Sequence, residues 1–321
     1  LRVVADLTGT PDASFDATVY PLAIIATKAP PPPDHQVRTG LVHQGGARVR
    51  QSELSGGSPW ILTPGLQEII AELERSTAPL DTTVACHLGV KTGLNRVFLN
   101  PPADLEPEVL RQAVRGRDLK AFHCRSQLTL LWPHDDAGRP LGMLPPRAAA
   151  YLAQFEADLQ ARRDYEAGPI WTLFRTRAAT AQHRVVWPDV ARQLSAVALT
   201  AGHDAERIPL NSCYIAPVRS ASQAHALAAW LNCTWIRAVA RVRAVPASGG
   251  FARFNAQVVG GLPLPDGALA DPTLSRLGRA GQGGESVQDE LDRITAQRLS
   301  LSPLAQRALR AAVDGASNNR R

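Results

Sequence analysis

The sequence predicts an α+β fold assembled from short strands and a few amphipathic helices. Three observations carry this. Apolar, β-branched runs of strand length recur at 85–90, 96–99, 127–132, 184–187, 195–199 and 211–217, with turn-forming residues between them. Two longer stretches repeat apolar residues at helical spacing instead. One starts at Pro146 and presents Ala148, Tyr151, Leu152, Phe155 and Leu159; the other covers 222–244 with Leu227, Leu231, Trp235 and Val242. Residues 267–321 hold only short helical patterns, as a tail would. A hydrophobic content of 45% and a charged content of 20% belong to a globular chain with a core, not a disordered one. No apolar run approaches the roughly 18 residues that a membrane span needs, and no leader pattern stands at Leu1, so a cytoplasmic location is expected.

In chain order, Arg2–Ala5 and residues 17–26 read as two apolar strands forming an edge pair of a larger sheet, with Pro21 suited to an edge or bulge. Pro30–Pro33 is a stiff spacer, and Gly45-Gly46 and Ser55-Gly-Gly-Ser58 bracket a polar segment. A helix follows, with Thr63 as its cap, Pro64 at its first position, and Leu66, Ile69, Ile70 and Leu73 as its apolar face. Residues 100–102 form a turn before an expected helix over 106–114. The helix from Pro146 carries Glu156, Asp158, Arg162 and Arg163 on its polar face, and Arg237, Arg241 and Arg243 complement the dipole at the end of the 222–244 helix. Residues 278–285 read as a flexible linker. Two tail helices start at Ser286, with Leu291 and Ile294 inward, and at Ser302-Pro303, burying Leu304 and Leu309; 318–321 is expected to fray. The first residue is Leu1 and the single methionine is Met143, which suggests a fragment or trimmed product.

The most informative stretch is His87-Leu-Gly-Val-Lys-Thr-Gly-Leu-Asn-Arg-Val-Phe-Leu99, followed by Val114-Arg-Gly-Arg-Asp-Leu-Lys-Ala-Phe122. The first part reads as strand, tight turn, strand. Gly93 supplies the positive φ, and Thr92 and Asn95 are types whose side chains bond turn backbone. The second part gathers Arg115, Arg117 and Lys120 around a glycine, with Asp118 among them.

Together these segments resemble the opening of the target-recognition region of adenine-N6 DNA methyltransferases of the type II restriction–modification and phage-defence class. That family carries G-x-x-T-G-x-N-x-x-F and then G-R-D-I/L, matched by Gly89, Thr92, Gly93, Asn95 and Phe98, then Gly116, Arg117, Asp118 and Leu119. Val185-Val-Trp-Pro-Asp-Val190, Pro209-Leu-Asn-Ser-Cys-Tyr-Ile215, Gly250-Phe-Ala-Arg-Phe254 and Gly261-Leu-Pro-Leu-Pro265 follow in the family's order. Phe15, Ala17, Val19, Tyr20 and Ile24 resemble the last strands of the family's Rossmann-like catalytic sheet. The resemblance therefore implies those closing strands over 1–45, a linker and helix over 46–80, a mixed α+β target-recognition domain over 81–266 and a linker with a helical tail over 267–321. It implies double-stranded DNA and an upstream catalytic domain as partners. S-adenosylmethionine would be bound by that upstream domain rather than by this chain. A stand-alone specificity subunit and a fused endonuclease–methyltransferase remain alternatives, as does an RNA-directed or scaffold protein of the same fold.

Charge fits a polyanion partner, with a net +6 that is almost entirely arginine. A coding bias toward arginine would give the same total, so placement is more telling. Between Glu206 and Asp266 there is no carboxylate, while Arg207, Arg219, Arg237, Arg241, Arg243 and Arg253 all fall there. An uncompensated stretch of that kind favours phosphate contact.

Catalytic signals are missing. Asn100-Pro-Pro-Ala103 is the near match to the methyltransferase tetrapeptide, but it has alanine where a stacking ring belongs and no glycine-rich cofactor turn precedes it. No G-x-S-x-G, H-E-x-x-H or P-loop sequence occurs, and His134-Asp135-Asp136 beside Gly138 reads as a turn. Cys86-His87 and His123-Cys124 tempt toward zinc, yet neighbours on a strand point to opposite faces, so no metal is expected and the four cysteines read as free thiols. What remains is recognition. Lys91, Thr92 and Asn95 either reach DNA from the turn or merely bond the turn itself. Arg115, Arg117 and Lys120 suit phosphates, with Asp118 orienting one arginine. Arg175 and Arg177 precede a strand and could read bases, and Arg219 belongs to the carboxylate-free stretch. Phe251, Arg253 and Phe254 either fill the gap left by a displaced base or anchor their loop to the core.

Overall fold

The computed structural model describes residues 1–6, 22–41, 47–54, 60, 65–202, 204–247 and 250–317. Expectations for Phe15, Ala17, Val19, Tyr20, Pro21, Gly45-Gly46, Ser55–Ser58, the Thr63–Pro64 cap, Gly249 and residues 318–321 lie outside them.

At the centre is a four-stranded antiparallel sheet in the order Val197–Leu199, Arg184–Pro188, Cys213–Pro217, His87–Leu88. Arg184–Pro188 is buried along its whole length because both faces of the sheet are covered. Strand periodicity divides its side chains: Val185 and Trp187 face a helical layer, while Val186 joins Val114, Leu119, Val197 and Leu199 on the other side. Beside it stands a three-stranded sheet, Leu128–Leu131, Leu110–Val114 and Ile208–Pro209. Val90, Phe98, Leu130, Trp132, Leu152, Leu159 and Ile215 form a second core over it. A smaller antiparallel sheet joins Val190–Ala191, Phe251–Arg253 and Val245–Ala247. The chain is thus α+β with several small sheets.

The helical layer is closed by the C-terminal residues. Pro272–Gln282 packs along Ala221–Asn232, and Gln288–Arg298 and Pro303–Ser317 cover Thr234–Arg243. Leu274, Leu277, Leu291 and Leu309 all enter the largest core, alongside Leu227, Trp230 and Trp235. Residues 278–282, expected as linker, are therefore helix. Asp271 caps that helix by accepting from Thr273 and Leu274 N–H groups at 2.7 and 3.3 Å. Leu304, expected inward, is exposed, whereas Leu309 is buried.

Three other expectations fail for tertiary reasons. The single helix over 222–244 is two helices, with Cys233 extended between them. Asn232 turns its amide onto the Ala196 backbone (3.0 and 2.8 Å), and Asp292 from another helix accepts from Thr234 N and Oγ1 at 2.8 and 2.7 Å, capping the second helix from outside. The helix over 106–114 is a short 3-10 turn, Pro107–Val109, followed by the strand Leu110–Val114, which pairs on both edges. Two ladders outweigh its local helical pattern. The strand over 96–99 is a helical turn, Asn95–Phe98.

Val3–Asp6 and Leu22–Ile25 pair antiparallel in an N-terminal four-stranded sheet whose order is Leu22–Ile25, Val3–Asp6, Gln36–Leu41, Ala47–Arg50. It has its own small core of Val4, Val37, Val49 and Leu54. Among the described residues no helix is long and apolar enough to cross a membrane.

Candidate nucleic-acid interface

The Lys91–Asn95 turn is held from within and from below. Gly93 has φ +70°, Thr92 Oγ1 donates to Asn95 Oδ1 at 2.6 Å, and Leu94 N donates to Thr92 Oγ1 at 3.2 Å. Below it lies Arg162, 5% exposed, beyond the end of the helix whose polar face it was expected to join. Its guanidinium donates to the carbonyls of Leu159, Thr92, Thr172 and Ile170 at 3.0, 2.7, 2.9 and 2.5 Å. The rings of Phe98, Tyr165 and Phe174 surround it at 5.5, 5.9 and 5.0 Å. Thr92 is 3% exposed and spends its hydroxyl on the turn, which corrects the expectation that it reaches DNA; Asn95 is exposed, with its Oδ1 taken by Thr92. Lys91 pairs with Asp164.

His134 supports the same region. Its Nε2 accepts from Leu173 N at 3.2 Å, its ring lies 4.9 Å from Trp132, and Nδ1 is buried without a partner. Burial, opposed by Asp135 and aided by Arg162, pushes the imidazole down to about 4 from 6.5. A histidine depressed on folding stabilises above its unfolded value and costs stability as pH falls from about 6.5 toward 4. The native state is therefore expected to be about 2 kcal/mol less stable at pH 5 than at pH 8 on account of this group. Urea melts of wild type and His134→Phe at both values test this; a pH difference unchanged by the substitution refutes it.

The G-R-D turn, Gly116–Asp118, packs beside Pro188–Val190. Gly116 N donates to Ser212 Oγ at 3.0 Å, and Asp189 N donates to Ser212 O at 2.9 Å. Asp118 orients Arg115, accepting from its backbone N at 2.8 Å and its Nε at 3.4 Å, and leaves Arg117 exposed. Lys120 is exposed on the adjoining two-stranded ribbon with His123–Cys124.

On the small outer sheet the period of two decides which residues show. Phe251 and Arg253 face out; Ala252 and Phe254 are 1% and 0% exposed. Phe254 is thus a core residue, and the expectation that it meets DNA is corrected: its backbone N–H and C=O are also taken, by Asp189 O and Trp187 Nε1. Val190, Arg253 and Val245 lie side by side across the three strands, and the Arg192 guanidinium stands 5.2 Å from the centre of the Phe251 ring. Arg253 donates to Asp189 Oδ2 at 2.6 Å. Tyr214, stacked on Trp187 at 6.0 Å, feels both Arg253 and Arg175. Asp164, in turn, feels Lys91 and Arg175. Asp189 bonds Arg253 and Asp164 pairs with Lys91, while the charge of Arg175 is felt by both Tyr214 and Asp164.

The basic stretch from Arg207 to Arg253 is compensated in space, contrary to the linear count. Asp204 pairs with Arg207 at 2.8 Å, Glu74 with Arg243 and Asp189 with Arg253, while Arg237 is buried against Asn232 Oδ1 at 3.0 Å. Arg219 is exposed but lines a different groove, with Ala78, Thr83 and Leu264–Ala270. Arg175 and Arg177 are exposed, have no ion pair among the described residues and line a groove with His87. Sequence reasoning missed Arg162, Arg192 and His87. Arg192 had a signal, two residues after Val190 at the end of the same strand; Arg162 had none, because its partners are carbonyls from several segments.

Asn100 is left-handed, φ +49°, and its Oδ1 accepts from Thr129 N of the Leu128–Leu131 strand at 3.1 Å.

This set of sheets and helices is shared with part of large restriction–modification enzymes. One is the type IIG restriction endonuclease BpuSI (TM-score 0.54, 13% identity, covering 85% of this chain and 35% of that one). Another is the type IIL restriction–modification enzyme MmeI, solved in complex with DNA (TM-score 0.53, 13% identity, covering 98% and 43%). The chain spans less than half the length of either. No protein-family model matches it, and no curated protein matches it by sequence.

Proposed function

We propose that this chain is the DNA-recognition portion of a site-specific adenine-N6 methyltransferase of the restriction–modification class. In this reading it binds duplex DNA and presents the target to a preceding domain that holds S-adenosylmethionine. The observation that carries the reading is the outer sheet face, where Arg192, Arg253, Phe251 and Val190 stand together, with the Gly116–Asp118 turn packed against the Val190–Ala191 strand. Exposed arginines interleaved with a ring and aliphatic side chains suit phosphates and base edges better than a plain solvated surface. Its fold is that of part of MmeI, an enzyme solved with DNA, and the ordered sequence resemblance points to the adenine-specific family. Site and order support the recognition role; the cofactor and the methylation step come from the resemblance alone.

The test is fluorescence anisotropy with a labelled duplex between 50 and 200 mM salt. Binding should weaken with a log–log slope of about −3 or steeper if three or more phosphates are held. Arg192→Glu combined with Arg253→Glu should abolish measurable binding at 100 mM salt, with the fold verified by circular dichroism. Absence of binding by wild type at 50 mM salt would overturn the proposal.

A further inference from the structure

Most arginines here are spoken for. Arg115, Arg207, Arg243 and Arg253 face carboxylates, and Arg162, Arg184 and Arg237 are buried on carbonyl or amide oxygens. Arg175 and Arg177 differ. Both are exposed, both line one groove of ≈ 750 Å³ with His87, and no carboxylate is among the groove's lining residues. Asp164, whose carboxylate feels the charge of Arg175, is paired with Lys91 instead. The groove's other walls are apolar, with Leu88, Ala178 and Pro217.

The backbone beneath is fixed in advance. Lys91 and Phe174 exchange both N–H···O bonds at 3.0 Å, Thr176 Oγ1 donates to Gly138 O at 2.6 Å, and Ala179 N donates to Thr176 O at 3.0 Å. Arg175 itself is held at φ +62°, a conformation an arginine adopts only when its surroundings impose it. Residues held left-handed by their surroundings cluster at binding sites, and here one of them is an exposed cation lining a groove. Two forked donors and an imidazole lining one groove suit a phosphate, and the apolar walls accept the sugar or ring that a nucleotide carries. A volume of ≈ 750 Å³ is within the usual range for small-ligand grooves.

We propose that the His87–Arg175–Arg177 groove binds one nucleotide phosphate, with its attached sugar or ring lying on Leu88, Ala178 and Pro217. This deepens the DNA reading by naming the chemistry at one place on that face, yet it does not depend on duplex binding. The phosphate has two sources: a phosphodiester of a DNA strand crossing the groove, or the phosphate of a free nucleotide.

The experiment compares wild type, Arg175→Ala/Arg177→Ala, Arg175→Lys/Arg177→Lys and the distant control Arg276→Ala. Each is titrated against a labelled duplex across salt and, separately, against dAMP, with adenosine as the uncharged comparison. For a strand phosphate, the alanine pair should lower duplex affinity about tenfold at 100 mM salt and flatten the log–log slope by about 0.9, the value for one lost contact. The lysine pair should retain the slope, and the control should match wild type. For a free nucleotide, dAMP should bind wild type but not the alanine pair, and adenosine should bind neither. If wild type holds dAMP through these arginines but no duplex, the groove assignment stands and the DNA reading falls. If wild type binds duplex with an affinity and slope that the alanine pair leaves unchanged, and dAMP does not bind, the groove assignment falls alone. Binding of neither ligand overturns both.

Discussion

Arg162→Met is expected to lower the unfolding free energy by about 4 kcal/mol. The methionine can occupy much of the space between Phe98, Tyr165 and Phe174, so the loss is not chiefly one of packing. It comes from four carbonyls, on Leu159, Thr92, Thr172 and Ile170, that surrender a charged donor together. Hydrogen bonds to a charged group contribute roughly 1.5–3 kcal/mol each; some of these oxygens will regain water, which brings the sum down to about 4. Because Thr92 belongs to the turn and Thr172 to the segment leading to Arg175, the same change should loosen both ends of the basic face. Urea titration gives the stability, and hydrogen exchange at Leu94 and Phe174 reports the loosening. A loss under about 1 kcal/mol would show that the arginine is a passenger.

Gly278→Ala should cost about 3 kcal/mol, although the residue lies inside a helix where alanine is favoured over glycine by about 1 kcal/mol. A Cβ built on Gly278 would lie 2.0 Å from the carbonyl oxygen of His225 on the facing helix. Both sides of that contact are backbone, so the two helices would have to separate, and overpacking of this kind costs 1–3 kcal/mol or somewhat more. Thermal melts check it. A variant at least as stable as wild type would mean that the helices do not approach so closely. Gly142, where a Cβ would meet nothing within 4 Å and the backbone is not left-handed, is the comparison for an unobstructed Gly→Ala change.

These two positions also mark where the sequence could and could not be read. Strands whose alternation is satisfied locally, such as Leu128–Leu131, Arg184–Pro188 and Cys213–Pro217, stand where the pattern puts them. The failures share a cause. Residues 110–114 are taken into a sheet by partners farther along the chain, Cys233 is extended where Asn232 bonds the distant Ala196 and Asp292 caps Thr234, and a Gly-rich run that looks like a linker is a helix with a close neighbour. None of those partners is visible in a local window. For the candidate face, residue type was legible and pairing was not. Arg117, Arg175, Arg177 and Arg253 are exposed as expected, Thr92 and Phe254 are inside, and the carboxylate-free stretch finds its acids at Glu74, Asp189 and Asp204. The period of two across Phe251–Phe254 could have separated Phe251 from Phe254, had the segment been read as a strand rather than a loop.

The last three helices supply Leu274, Leu277, Leu291 and Leu309 to the main core, and Asp292 caps the start of another helix. For protein engineering the consequence is modular. A graft that aims to move residues 81–266 onto another scaffold must take the stretch after Asp266 with it, since cutting there would strip the hydrophobic lining from the transplanted piece and leave Thr234 uncapped.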